Sequence, residues 1–227
     1  TRSQNIYVLA NNITRGSQGI LVEDSSCVVL LNNMLSENDA NGILLSHAVN
    51  STIEGNTINE TAFRAIALFD SSKTVVNRNQ IISSGEECLY LLGGGGNTVI
   101  QNELSSCEWA GISVMRSNDN VLKDNFVAAT PWGIALYESC GNLVARNRVA
   151  NASVGNPMTA SSDCNLVVDS DESRSAVAGS LSGTYGNRAA EDQSDAKAKW
   201  REYESELSLG KVLKKRRDLL VFRMSLE

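Results

Sequence analysis

The chain has 227 residues, with 26 acidic against 20 basic side chains, a net charge of −6, 5% aromatic residues, two prolines and one histidine. No apolar run reaches the length that crosses a bilayer, and an acidic surface is a poor match for duplex nucleic acid, so neither a transmembrane segment nor a nucleic-acid partner is expected. One histidine and five cysteines without Cys-x-x-Cys spacing supply no zinc or copper ligand set, so no metal or cofactor is expected; the cysteines read as small packing residues.

From its N-terminus the chain repeats itself. Asn11, Asn33, Asn56, Asn79, Asn102, Asn125 and Asn147 recur at spacings of 22, 23, 23, 23, 23 and 22. An aliphatic residue stands three places before each and another two places after, as with Val99 and Leu104 around Asn102. A second anchor, Gly, Ala or Cys followed by Ile or Leu (Ile20, Ile43, Ile66, Leu89, Ile112, Ile134), lies 14 residues ahead of the next Asn in every period. Length varies only in the 8 or 9 residues between the Asn and that anchor. The start at Thr1, just before the first aliphatic and without initiator Met, signal peptide or capping helix, reads as a fragment or processed form.

A fixed period marks a repeat architecture. Each period holds three short apolar stretches that alternate with period 2 between Asn, Ser, Gly, Asp and Thr, which makes them strands rather than helices. A leucine-rich repeat would need a Leu-x-x-Leu-x-Leu run before the Asn, whereas here the second apolar cluster, Gly-Ile-x-Leu, stands half a period away. The pattern predicts an all-β fold: a right-handed single-stranded parallel β-helix of about seven coils over residues 1–169, with coils about 4.8 Å apart. The seven Asn then form a structural ladder, since each amide has two donors and two acceptor sites to offer the coils above and below. Ser25, Ala48, Ser71, Gly94, Ser117 and Ser139 share a tight turn column.

After Asn165 the ladder position passes to Asp169 or Ser170, and residues 170–190 read as a polar linker or degenerate last coil. Residues 191–227 place Ala196, Trp200, Tyr203 and Leu207 at helical spacing, an amphipathic helical tail suited to capping the last coil. Lys211, Lys214, Lys215, Arg216 and Arg217 ahead of Leu219 to Phe222 also suit contact with a partner or a membrane surface.

Rungs such as GILLSHAVNSTIEGNTI (42–58) and GIALYESCGNLVARNRV (133–149) resemble the NosD-like family of parallel β-helix proteins built on the carbohydrate-binding and sugar hydrolase repeat. The resemblance covers roughly residues 5–169. It implies the β-helix and an extracytoplasmic location, periplasmic, cell-surface or secreted. It leaves two functions open, because the repeat serves non-enzymatic surface proteins as well as lyases, epimerases and hydrolases.

The Gly-Ile strands offer a platform for a linear polymer or a protein partner. Their outward columns run Leu21, Leu44, Ala67, Tyr90, Ser113, Ala135 and Glu23, Ser46, Phe69, Leu92, Met115, Tyr137. Phe69, Tyr90, Trp109, Met115, Trp132 and Tyr137 gather there as candidate ligand-binding residues. The next column sets His47 between Asp24 and Asp70, which as a general acid–base group would serve a polysaccharide-active enzyme. Arg116 beside Glu138 reads as a surface ion pair, and Glu86, Glu87 and Glu108 are further available acids. No lyase or epimerase motif stands in these columns and no long loops flank them, so the reading favoured is a binding module, with the enzyme as alternative.

Overall fold

The computed structural model describes residues 3–156, 158–160, 162, 164–168 and 171–173. They belong to the first of two units, Thr1–Gly186; the second, Asn187–Glu227, lies outside the described residues, as does the expected helical tail. The chain is a parallel β-solenoid of about seven turns. Strands stack into two parallel sheets of eight and one of seven.

The first sheet takes the strand before each ladder Asn, from Tyr7–Leu9 to Leu166–Val168. The second takes the strand after it, from Asn12–Thr14 to Asp171–Ser173. The third takes the Gly-Ile strands, from Ile20–Glu23 to Met158–Ala160. Pairing is in register, as in Val76↔Val99↔Leu122 and Ile66↔Leu89↔Ile112, so the inward columns are apolar along the stack. Central residues of the first two sheets and alternate residues of the third point inward; Leu30, Ile53, Ile58, Ile66, Leu89 and Leu91 are almost fully buried.

Corners are made by columns of left-handed residues. The residue before each ladder Asn has φ between 51° and 63° (Ala10, Asn32, Gly55, Arg78, Gln101, Asp124, Arg146). That conformation costs an ordinary residue about 1–2 kcal/mol, so something must hold it. The ladder does. In each coil from Asn11 to Asn125, the Asn backbone N–H and Nδ2 both donate to Oδ1 of the next ladder Asn at 2.9–3.0 Å. Nδ2 also donates back to a carbonyl of the preceding coil, as from Asn102 to Val76 at 2.9 Å. The Asn thus stand beside the strained position rather than in it.

A second ladder runs through the C-terminal half, one the Asn11 register does not reveal. Thr74 and Asn97 donate backbone N–H to Oδ1 of Asn97 and Asn120, and the series continues through Asn142 to Asn165 at 2.9 Å.

The reading of the cysteines as packing residues is corrected. Cys88 and Cys107 form a buried disulfide with Cα atoms 5.5 Å apart, Cys140 and Cys164 form another at 5.0 Å, and Cys27 is free and exposed. Cys88 occupies the anchor column that glycine or Ala65 fills elsewhere. A Cβ at Gly111 in that column would overlap Val127 Cγ1, whereas the Cys88 side chain turns toward Cys107.

Candidate functional site

The third sheet carries all the candidate residues on its outer face and two edges. Its outer columns match expectation: Leu44, Ala67, Tyr90, Ser113 and Ala135 are strand partners in series, and so are Ser46, Phe69, Leu92, Met115 and Tyr137. The first of these columns is not an open platform. Leu21 is 46% exposed at its end, but Leu44 to Ala135 are all buried. Part of the reason is local, since large side chains of neighbouring coils pack against one another on this face. The Tyr90 ring meets Phe69 edge-on at 5.9 Å, and its hydroxyl donates to Met115 Sδ at 3.4 Å.

At the edge where these strands end, Asp24, His47, Asp70, Gly93, Arg116 and Glu138 form one left-handed turn column, with φ from 46° to 66°. From Asp24 to Arg116 each backbone N–H donates to the next coil, as from His47 to the Phe69 carbonyl at 2.9 Å. Asp24 Oδ1 lies 3.7 Å from His47 Nδ1, and Asp70 Oδ2 lies 3.8 Å from Nε2. The three side chains are 60–64% exposed, a solvated acid–base row without walls to exclude water. Arg116 and Glu138 form the expected surface ion pair at 3.2 Å.

The edge where the strands begin is built differently, and sequence reasoning saw only half of it. Arg64 Nε donates to Glu87 Oε2 at 2.8 Å and its NH2 pairs as an ion with Glu86 Oε2 at 2.9 Å, while its guanidinium stacks over the Tyr90 ring at 4.3 Å. Glu87 is wholly buried. A buried carboxylate requires such a partner, because an uncompensated charge in a protein interior is strongly destabilising. Burial, and secondarily the nearby Glu87 carboxylate, pushes the Tyr90 phenol well above its usual range. Opposite charges at positions 64 and 87, one period apart ahead of the anchor, were the available signal.

Trp109 and Trp132 occupy adjoining columns of this edge rather than one, with the Trp132 N–H donating to the Trp109 carbonyl at 3.1 Å. Trp132 is buried, and any side chain at Gly155 would meet its ring. Phe69, Trp109 and Tyr137 remain half-buried, so of the six aromatic and Met candidates these three keep accessible surface. Glu108 instead lines an open groove of about 780 Å³ at the corner between the second and third sheets, with Arg15, Glu37, Asn38 and Glu60.

Among the described residues no three His, Cys, Asp or Glu side chains converge as a metal site. No described helix is long and apolar enough to cross a membrane.

The family model described as "Periplasmic copper-binding protein (NosD)" matches residues 1–108 and 95–177. No curated protein matches the chain. Among solved structures it is similar to a DFA-IIIase from Arthrobacter chlorophenolicus A6 (16% identity, TM-score 0.67, 78% of this chain and 51% of that one). It is also similar to tailspike protein 2 of bacteriophage CBA120 (15%, 0.56, 74% and 33%) and to the A-module of the mannuronan C-5 epimerase AlgE6 of Azotobacter vinelandii (13%, 0.53, 69% and 46%). The chain thus spans about half or less of the length of these structures, and the likeness is one of fold.

Proposed function

The chain belongs to the NosD family of periplasmic copper-binding proteins, and we propose that it is a non-enzymatic extracytoplasmic β-helix module that presents its third-sheet side to a polysaccharide or protein partner. The observation that carries this reading is the set of half-buried Phe69, Trp109 and Tyr137 around a rigid sheet whose side chains repeat at the strand spacing, about 4.8 Å. Aromatic faces at fixed spacing suit stacking on sugar rings or on an extended peptide. Two disulfides, one of them buried, support folding in an oxidising compartment, independently of the family.

The described residues do not fit copper. Four cysteines are tied in disulfides, Cys27 is alone, and the histidine stands in solvent between two carboxylates rather than among soft ligands. A copper site is therefore no part of the proposal.

The second reading, a polysaccharide-active enzyme, draws on the Asp24–His47–Asp70 row and on the epimerase named among the similar structures. A glycan array probed with the full chain tests both. Trp109→Ala combined with Tyr137→Ala is expected to weaken binding about fivefold or more with the far-ultraviolet circular dichroism unchanged, since each stacked ring contributes about 0.5–1.5 kcal/mol. Binding that survives the double substitution removes the aromatic site. Turnover of an arrayed glycan that is lost in His47→Ala establishes the enzyme instead.

A further inference from the structure

The first sheet also has an outer face, with a composition unlike that of the second. The outward residues at its first strand position include Tyr7, Val29, Val75, Val121, Leu143 and Leu166, interrupted by Thr52 and Thr98. Tyr7 is 64% exposed, Leu166 56% and Val75 38%. The equivalent column of the second sheet is mixed, with Met34 and Phe126 standing among Asn12, Thr57, Gln80, Glu103 and Arg148. An outward column that is apolar at six of its eight positions and carries no charge marks an interaction surface.

The second outward column of the first sheet runs from Leu9 and Leu31 through Ile100 to Val168. Among the described residues its only charges are Glu54 on the third strand and Lys123 on the sixth. Glu54 Oε1 accepts from Asn77 Nδ2 at 3.0 Å and lies 3.7 Å from Arg78. Lys123 Nζ reaches Asp124 only at 4.0 Å, and both Asp124 oxygens already accept from Arg146 at 2.8 Å. Lys123 is thus the less committed cation of this face.

We infer that this face is the interface of an antiparallel dimer with a second copy of the chain. A two-fold axis parallel to the strands, passing between the fourth and fifth strands of the sheet, lays the third strand of one copy over the sixth of the other. Glu54 then meets the Lys123 of the second copy, and by symmetry the pair occurs twice. The apolar column lies over its own reverse, with Val75 facing Thr98 and Val29 facing Leu143. A parallel arrangement, with the axis along the stack, would set Glu54 over Thr52 and leave both charges without a partner. Three residues along eight strands give about 340 Å² of flat face per copy, well under the roughly 800 Å² per partner of a tight complex, so the dimer is reversible and concentration-dependent.

Sedimentation of the full chain from low to high micromolar concentration is expected to show a monomer–dimer equilibrium. Lys123→Glu sets a carboxylate against Glu54 of the second copy, twice by symmetry, and should raise the dissociation constant about tenfold or more. Adding Glu54→Lys restores the pairing with the signs exchanged and should bring the constant back to within about threefold of the parent. Arg148→Glu, on the second sheet, should leave it unchanged. Circular dichroism checks that each variant is folded. A parent chain that stays monomeric at high micromolar concentration overturns the inference. Failure of the double exchange to rescue Lys123→Glu, or an equal effect of Arg148→Glu, overturns this register and this face.

Discussion

Asn102 shows how one amide per coil can turn the chain. It is 1% exposed, donates from its backbone and side chain to Asn125, returns a bond to Val76, and accepts two from Asn79, so both faces of its amide are satisfied. Asn102→Leu keeps the volume but leaves the Asn79 donors and the Val76 carbonyl short of partners, and should lower stability by about 1–3 kcal/mol in urea unfolding. The same change at the exposed Asn11 should cost less. Tyr90 makes a prediction in pH. Its phenol is held above the ordinary value by burial, so below about pH 10 it is neutral in folded and unfolded chains alike. At higher pH the unfolded chain releases a proton that the folded chain retains, and stability falls as pH rises. Urea midpoints from about pH 8 to 11 should decline less steeply in Tyr90→Phe than in the parent. The Asn column was legible in the sequence because its spacing and its chemistry are the same fact. The left-handed residue beside it was not, because Ala10, Arg78 and Gln101 have no local preference for that conformation; the coil above and below imposes it.

At the scale of elements, the strands were legible for the same reason that they pair in register: a period-2 pattern repeated every 22 or 23 residues fixes which side of each strand is inside. The cross-links were not. Cys88 and Cys107 are 19 residues apart, which places Cys107 a coil further on but four residues short of the Cys88 position, across a corner whose geometry no local pattern announces. Chain-entropy arguments give that bridge about 3 kcal/mol, so Cys88→Ser with Cys107→Ser should lower the unfolding free energy by that order, measured against the parent under oxidising conditions. The candidate aromatic surface was half legible. The columns of Phe69 and Tyr137 were assigned correctly, but the Arg64 guanidinium stacks over Tyr90 while it holds Glu87, a consequence of pairing between residues 23 apart that becomes visible only once the coils are stacked.

As a whole, the described molecule is a stack in which each coil touches only its neighbours, so stability is a sum over adjacent pairs and damage stays local. The inferred dimer leaves both third-sheet sides outside the interface, and two such sides per particle would bind a repeating polymer with avidity that a monomer lacks. The stack also answers to mechanical tension. No bridge among the described residues joins any coil ahead of Cys88 to another, whereas Cys88–Cys107 and Cys140–Cys164 clamp later coils together. Pulled from its first coil, the chain would peel one rung at a time. Each rung would surrender about 5 Å of stacked axis and release about 75–80 Å of extended chain. The peeling would meet its first covalent stop at Cys88, where residues 88–107 stay closed as a loop and the tension passes straight across the bridge to Cys107.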